Sequence, residues 1–129
     1  MPPAPAERIR QFYADWCLLS PADLARYFTP DASFQPVSRD RPIVGARAIC
    51  GTIEIFRARF ESVDVDIVHL AGAGDIVHCE HLWHYTVAGG QVFRVPANDV
   101  FAFDGDRIRS WRSYFNPQAL IGKIDLGEG

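Results

Sequence analysis

Residues 78–87 read HCEHLWHYTV. Three of the chain's four histidines sit here, beside a Cys, a Glu, a Trp and a Tyr. The stretch suits a metal site, an acid–base site or the wall of a ligand pocket, and its secondary structure decides which residues meet. As a strand it splits into two faces, because successive side chains point opposite ways. Cys79, His81, Trp83, Tyr85 and Val87 then share one face, and His78, Glu80, Leu82, His84 and Thr86 share the other. The first set carries more apolar and aromatic bulk. It is therefore expected inside with His81, leaving His78, Glu80 and His84 outside.

The flanks support the strand reading. Upstream, SVDVDIVHL alternates Val63, Val65 and Ile67 with Asp64 and Asp66, the period of a half-exposed strand. AGAGD (71–75) reads as a turn and AGGQ (88–91) as a hairpin turn. Residues 92–103 form a further strand, DGDR turns, and residues 108–115 form another. The first half of the chain has helical spacing instead. Ile9, Phe12, Tyr13 and Trp16 make one apolar face over residues 5–18. SPAD starts a short helix, with Ser20 as N-cap, Pro21 at the first helical position and Asp23 three after the cap. A TPD turn (29–31) precedes a short strand over 32–36, and 37–45 reads as a loop. A third helix is expected over 46–60, with Ile49, Ile53, Phe56 and Phe60 on one side. Helices followed by an antiparallel meander give an α+β fold, a curved sheet partly closed over helices.

At 129 residues the chain has the size of one domain, expected to span 1–129 with flexible tails at about 1–5 and 123–129. Its net charge of −3 and lack of a polybasic run argue against nucleic acid and anionic membrane as partners. No segment approaches a membrane span, and the start lacks the apolar core of a signal peptide. Cys17, Cys50 and Cys79 are an odd number with no CxxC, read as reduced thiols in a cytoplasmic protein.

The stretches YFTPDASF (27–34), VGARAI (44–49), VHLAGAGDIVHCEHL (68–82) and above all VFAFDGDRIRSWRSYF (100–115) carry a resemblance. Over nearly its whole length the chain resembles the limonene-epoxide-hydrolase branch of the NTF2-like superfamily. That superfamily includes ketosteroid isomerase-like and SnoaL-like proteins. The resemblance implies a cone-shaped α+β barrel, in which three N-terminal helices pack on a curved, mostly antiparallel sheet around a deep apolar pocket. It also implies a homodimer, formed through the outer sheet face.

The epoxide-hydrolase residues do not carry over. That branch uses an Asp that activates water, an Arg, a second Asp that protonates the epoxide oxygen, and a Tyr and an Asn that hold the water. Its Arg position is His81 here, its two Asp positions are Trp83 and Ser113, and its Tyr and Asn positions are Phe34 and Pro36. Neither Trp nor Ser replaces a carboxylate near neutral pH. The family's inward positions fall on His81, Trp83, Asp99, Trp111 and Ser113.

What remains is Asp99, on the inward face Val95, Ala97, Asp99, Phe101 and Phe103 of its strand. A carboxylate among such neighbours is desolvated and its pKa rises. Ketosteroid isomerase-like proteins place an acidic residue at a similar point, with a partner Tyr on the first helix, where Tyr13 stands. Their base position falls near Gln35 or Pro36, and neither serves. His81 lies one strand over from Asp99, and the hairpin is expected to bring the two roughly opposite. Related dehydratases combine a His with an Asp and pocket Tyr residues. The expected catalytic set is therefore His81 as general acid or base, Asp99 orienting or polarising it, and Tyr13 bonding a substrate oxygen. Phe34, Phe56, Phe60, Trp83, Ala97, Trp111 and Ser113 are expected to line the pocket. Ser113 with His81 lacks any GxSxG-like elbow for a nucleophile. No metal site is expected at His78, Glu80 and His84, which lack a second ligand cluster, and no cofactor is expected.

The expected function is a cofactor-free isomerase, dehydratase or cyclase acting on a small hydrophobic, oxygen-bearing molecule. A divergent epoxide hydrolase with rebuilt residues and a non-catalytic small-molecule-binding or dimerisation module are the alternatives. His81 within hydrogen-bond range of Asp99 favours the first; a pocket filled by Trp83 and Trp111 favours the last.

Overall fold

The computed structural model describes residues 4–119. Helix α1 (Pro5–Trp16) opens on a proline, whose fixed φ and missing N–H suit the first helical position. It buries Ile9, Phe12, Tyr13 and Trp16, the stripe its spacing predicts. Each side chain of that size contributes about 1.5–3 kcal/mol when buried. Helix α2 (Pro21–Leu24) is capped as expected, the Ser20 hydroxyl accepting from the Asp23 N–H at 3.3 Å. A 3-10 turn (Ala25–Tyr27) leads into strand β1 (Phe28–Pro36).

β1 is longer than the sequence suggested, since residues 29–31 are extended rather than a turn. Its register with β6 (Arg107–Phe115) shifts between Phe28 and Ser33. Pro30, which has no N–H, falls inside that irregularity and breaks no regular ladder. Within the expected loop 37–45 lies a two-residue strand, β2 (Ile43–Val44), paired with β1. Gly45 then turns the chain with φ 103°, a conformation that other residues rarely adopt, and donates its N–H to Ala32 O at 2.7 Å.

Helix α3 (Ala46–Arg57) ends three residues before the expected Phe60. The Arg59 and Phe60 N–H groups bond carbonyls three residues back, which tightens the last turn and steers Phe60 into the core. Strands β3 (Ser62–Ala73), β4 (Ile76–Thr86) and β5 (Val92–Asp104) complete the sheet. The AGAGD turn shrinks to Gly74 and Asp75, because β3 continues through Ala73 to pair with Ile76.

The six strands lie in the order β2-β1-β6-β5-β4-β3, with β1 and β6 parallel and every other pair antiparallel. Helix α1 packs on β3 and β4, and α3 on β1 and β2. The core lies between helices and sheet. The architecture is the curved α+β cone expected from the sequence, with β3 and β2 at the sheet edges. The expected tails 1–5 and 123–129 lie outside the described residues except for 4 and 5, and Pro5 already belongs to α1. Among the described residues no helix is long and apolar enough to cross a membrane.

Candidate functional site

The inward face of β4 is the one its alternation predicts: Cys79, His81, Trp83 and Tyr85 are buried, and His78 and Glu80 are exposed. On β5, Val95, Ala97, Asp99, Phe101 and Phe103 point the same way. The two faces meet under Tyr13 and Trp16 of α1.

Asp99 is the centre of the cluster. It is 1% exposed, and its Oδ2 accepts the Tyr13 hydroxyl and, at 2.9 Å, the Trp111 indole N–H. Ser113, its register partner on β6, hydrogen-bonds it as well. Helix α1 and strand β6 therefore converge on one carboxyl group of β5. Burial pushes the Asp99 carboxyl above its ordinary range. The neighbouring His81 and the bonds from Tyr13, Ser113 and Trp111 pull it back only in part. Burial, and then the Asp99 charge, hold the Tyr13 hydroxyl well above its ordinary value, so Tyr13 stays a donor.

His81 does not lie opposite Asp99. Val87 joins the AGGQ loop, so the ladder closes on Thr86 and Val92 and every pair below is set by that choice. The register matches His81 with Ala97 and Cys79 with Asp99, and the two polar side chains meet on a diagonal. His81 Nε2 sits 3.6 Å from Asp99 Oδ2, an ion-pair distance but longer than a hydrogen bond. Its Nδ1 lies 3.2 Å from the Cys79 carbonyl oxygen. A carbonyl oxygen only accepts, so Nδ1 donates there and Nε2 is the ring nitrogen turned to the cluster.

Aromatic rings close the site on both sides. Phe34 stacks on Trp111 with centroids 3.9 Å apart, and Phe101 and Phe12 pack against the same indole. On the other side Trp83 lies 4.9 Å from Trp16 and stacks on Tyr85, which stacks on Phe60, with Phe56 edge-on. Tyr13 stands between the two groups, 4.8 Å from the His81 ring. Of the expected wall residues, Phe34, Phe60, Trp83, Ala97, Trp111 and Ser113 are at most 9% exposed, and Phe56 is partly buried. These side chains are packed upon one another. A surface cleft of about 510 Å³ lies elsewhere, lined by Phe28, Pro30, Gly45, Arg47 and Arg107 among others.

The site includes residues the sequence reading left out of the binding set. Trp16 and Tyr85 belong to it, and Cys79 supplies the carbonyl that orients His81. Trp16 was detectable as the residue one turn after Tyr13 on the same face. Tyr85 was detectable as an inward neighbour of Trp83.

Outside, His84 pairs with Asp66 and Glu80 with His69, each at 2.7 Å across β3 and β4. Among the described residues no three His, Cys, Asp or Glu side chains converge to hold a metal ion. The three cysteines are unpaired, and burial raises their thiols to about 11 for Cys17 and Cys50 and about 12 for Cys79.

Residues 9–111 match the profile of the SnoaL-like domain. Among solved structures, the chain is similar to a protein with a ketosteroid isomerase-like fold from Catenulispora acidiphila, solved with trimethylamine: 23% identity, TM-score 0.81, covering 98% of this chain and 96% of that one. It is similar to a proposed SnoaL-like polyketide cyclase from Shewanella putrefaciens, at 16% identity, TM-score 0.80, covering 92% and 83%. It is also similar to an NTF2-like protein of unknown function from Burkholderia pseudomallei, at 12% identity, TM-score 0.81, covering 95% and 99%. At these identities the structures establish the shared fold. A search of curated proteins found no significant match. The family match is to SnoaL-like domains and does not single out the epoxide-hydrolase branch.

Proposed function

We infer the function from one premise: the chain belongs to the SnoaL-like domain family. In that frame the protein is an acid–base enzyme of isomerase, dehydratase or cyclase type. It works without a cofactor on a small hydrophobic molecule that bears a carbonyl or hydroxyl oxygen. One observation carries this reading: a fully buried carboxyl, Asp99, held by Tyr13 and Trp111 with His81 Nε2 3.6 Å away. Asp99, protonated more readily than an ordinary carboxyl, donates to the substrate oxygen, with Tyr13 and Trp111 fixing its orientation. His81 Nε2 removes a proton from the carbon next to the carbonyl, and the electron pair moves onto the oxygen that Asp99 supports. The proton then returns to another carbon, or a hydroxyl leaves as water.

A second reading rests on the closed rings. Trp83 and Trp111 at 6% and 3% exposure fit a binding module that holds a flat ligand without turning it over. In either case the outer sheet face, with half-exposed Val92 and Tyr114, is the contact of a homodimer. The three free thiols fit a reducing, cytoplasmic compartment.

The test uses proton exchange, which needs no knowledge of the natural substrate. Wild-type protein is incubated with 2-tetralone, a flat hydrophobic ketone, in D2O, and loss of the α-protons is followed by NMR. The acid–base reading expects exchange about a hundredfold or more above buffer, falling to the buffer rate in His81→Gln. Exchange equally fast in that variant would end it. Binding without exchange would select the second reading.

A further inference from the structure

Trp16 Nε1, His81 Nε2 and Asp99 Oδ1 are buried polar atoms with no hydrogen-bond partner among the described residues; Thr29 Oγ1 on β1 is the other such atom. Buried polar groups are nearly always paired, and a buried tryptophan N–H usually finds an acceptor. The orphans at His81 and Asp99 belong to the reacting end described above. Trp16 is a different matter. Its side chain is 4% exposed, and the acid–base steps make no use of it. It follows Tyr13 by three residues, on the same face of α1. Its ring lies 4.9 Å from Trp83, which in turn lies 5.3 Å from His81. Trp83 thus separates an orphan donor at one end of the cluster from orphan atoms at the other.

We propose that the Trp16 indole N–H is a specificity-determining donor to a second oxygen of the substrate, remote from the oxygen at Asp99 and His81. The substrate class is then a flat hydrophobic molecule with an acceptor oxygen at each end, such as a ring ketone bearing a distal carbonyl or ether. The aromatic walls accept the flat body, and the two polar ends fix which way round it lies. A substrate with one oxygen leaves the indole N–H unanswered and loses affinity. This inference rests on the acid–base reading of the site for its reacting end.

The experiment compares 2-naphthol with 6-methoxy-2-naphthol and 4-phenylphenol with 4-(4-methoxyphenyl)phenol, pairs that place an ether oxygen at two spans. Affinities are read by fluorescence titration. In wild-type protein at least one ether compound binds about tenfold more tightly than its parent phenol, the worth of one neutral hydrogen bond. Trp16→Phe keeps a ring and removes the N–H, and it abolishes that ratio whatever it does to the parent phenol. If Trp16→Phe does not fold, the wild-type protein still answers. The Trp16 indole resonance, in a 15N–1H spectrum of the three tryptophans, shifts downfield with the ether compound and not with the parent phenol. Phenols that bind in an Asp99-dependent way with no gain from either ether, or a gain that survives in Trp16→Phe, overturn the role of Trp16 and leave the acid–base reading standing. Phenols that do not bind at all, or bind Asp99→Asn unchanged, overturn both.

Discussion

Replacing Asp99 with Asn gives the sharpest physical test of the cluster. An amide has the shape of the carboxyl, and its oxygen accepts from Tyr13 and Trp111 as Oδ2 does, but it has no proton to lose. In the unfolded chain Asp99 titrates near its ordinary 3.8; in the folded protein burial moves it up. Between those two values the folded state binds the extra proton. The wild type therefore loses stability as pH rises through the window, by up to about 1.4 kcal/mol per pH unit. Below the unfolded value the contribution is fully present, and above the folded value it is gone. Groups remote from Asp99 titrate alike in both proteins and cancel in the difference. The melting temperature of Asp99→Asn minus that of the wild type should thus grow from pH 4 upward, by about 4–7 °C per unit for a domain of this size. It levels off once the folded carboxyl ionises. Thermal unfolding followed by circular dichroism at half-unit steps from pH 4 to 8 measures this. A difference that is flat across the range would mean that Asp99 keeps its ordinary pKa, and the proton-donor role would fail with it.

Three further outcomes follow from the same structure. Tyr13→Phe removes a donor that pulls the Asp99 carboxyl down, so the levelling-off should move to higher pH when this variant is compared with the Tyr13→Phe, Asp99→Asn double variant, and exchange activity should fall about tenfold or more; a plateau that stays put contradicts the bond. The thiols, raised to about 11–12, should react with a disulfide reagent at pH 8 about a hundredfold slower than a free cysteine, and rapid native labelling at Cys79 would show that the interior opens. Sedimentation should find a dimer at pH 7.5 that Tyr114→Glu splits; a wild-type monomer, or a dimer that survives the substitution, removes the outer face as the contact.

Much of the fold was legible because it is written locally. The period-two runs around Val63, His81 and Asp99 mark strands, and the alternation of bulk says which face is buried. The Ile9–Phe12–Tyr13–Trp16 stripe and the Ser20 cap mark helices in the same way. The parallel pairing of β1 with β6 was not legible, because it joins residues 77 to 80 positions apart and leaves no mark in either. The two-residue β2 is too short to show a period. At the site, which residues turn inward was legible but the geometry was not. Register decides that Cys79 and not His81 faces Asp99, and register depends on the turn. That Tyr13 gives its hydroxyl to Asp99, and that the rings meet over it, are properties of packing. No spacing in the sequence encodes them.

The central claim is that the buried carboxyl and imidazole are the polar end of a ligand site. A crystal structure of the protein with 2-naphthol, which mimics an enolised ring ketone, tests it most directly. The account predicts the phenolic oxygen within hydrogen-bond distance of Asp99 Oδ1 or His81 Nε2, with Trp83 or Trp111 turned aside to admit the ring. Naphthol bound at the surface cleft or the outer sheet face, with the Phe34–Trp111 and Trp83–Tyr85 stacks undisturbed around Asp99, would contradict it.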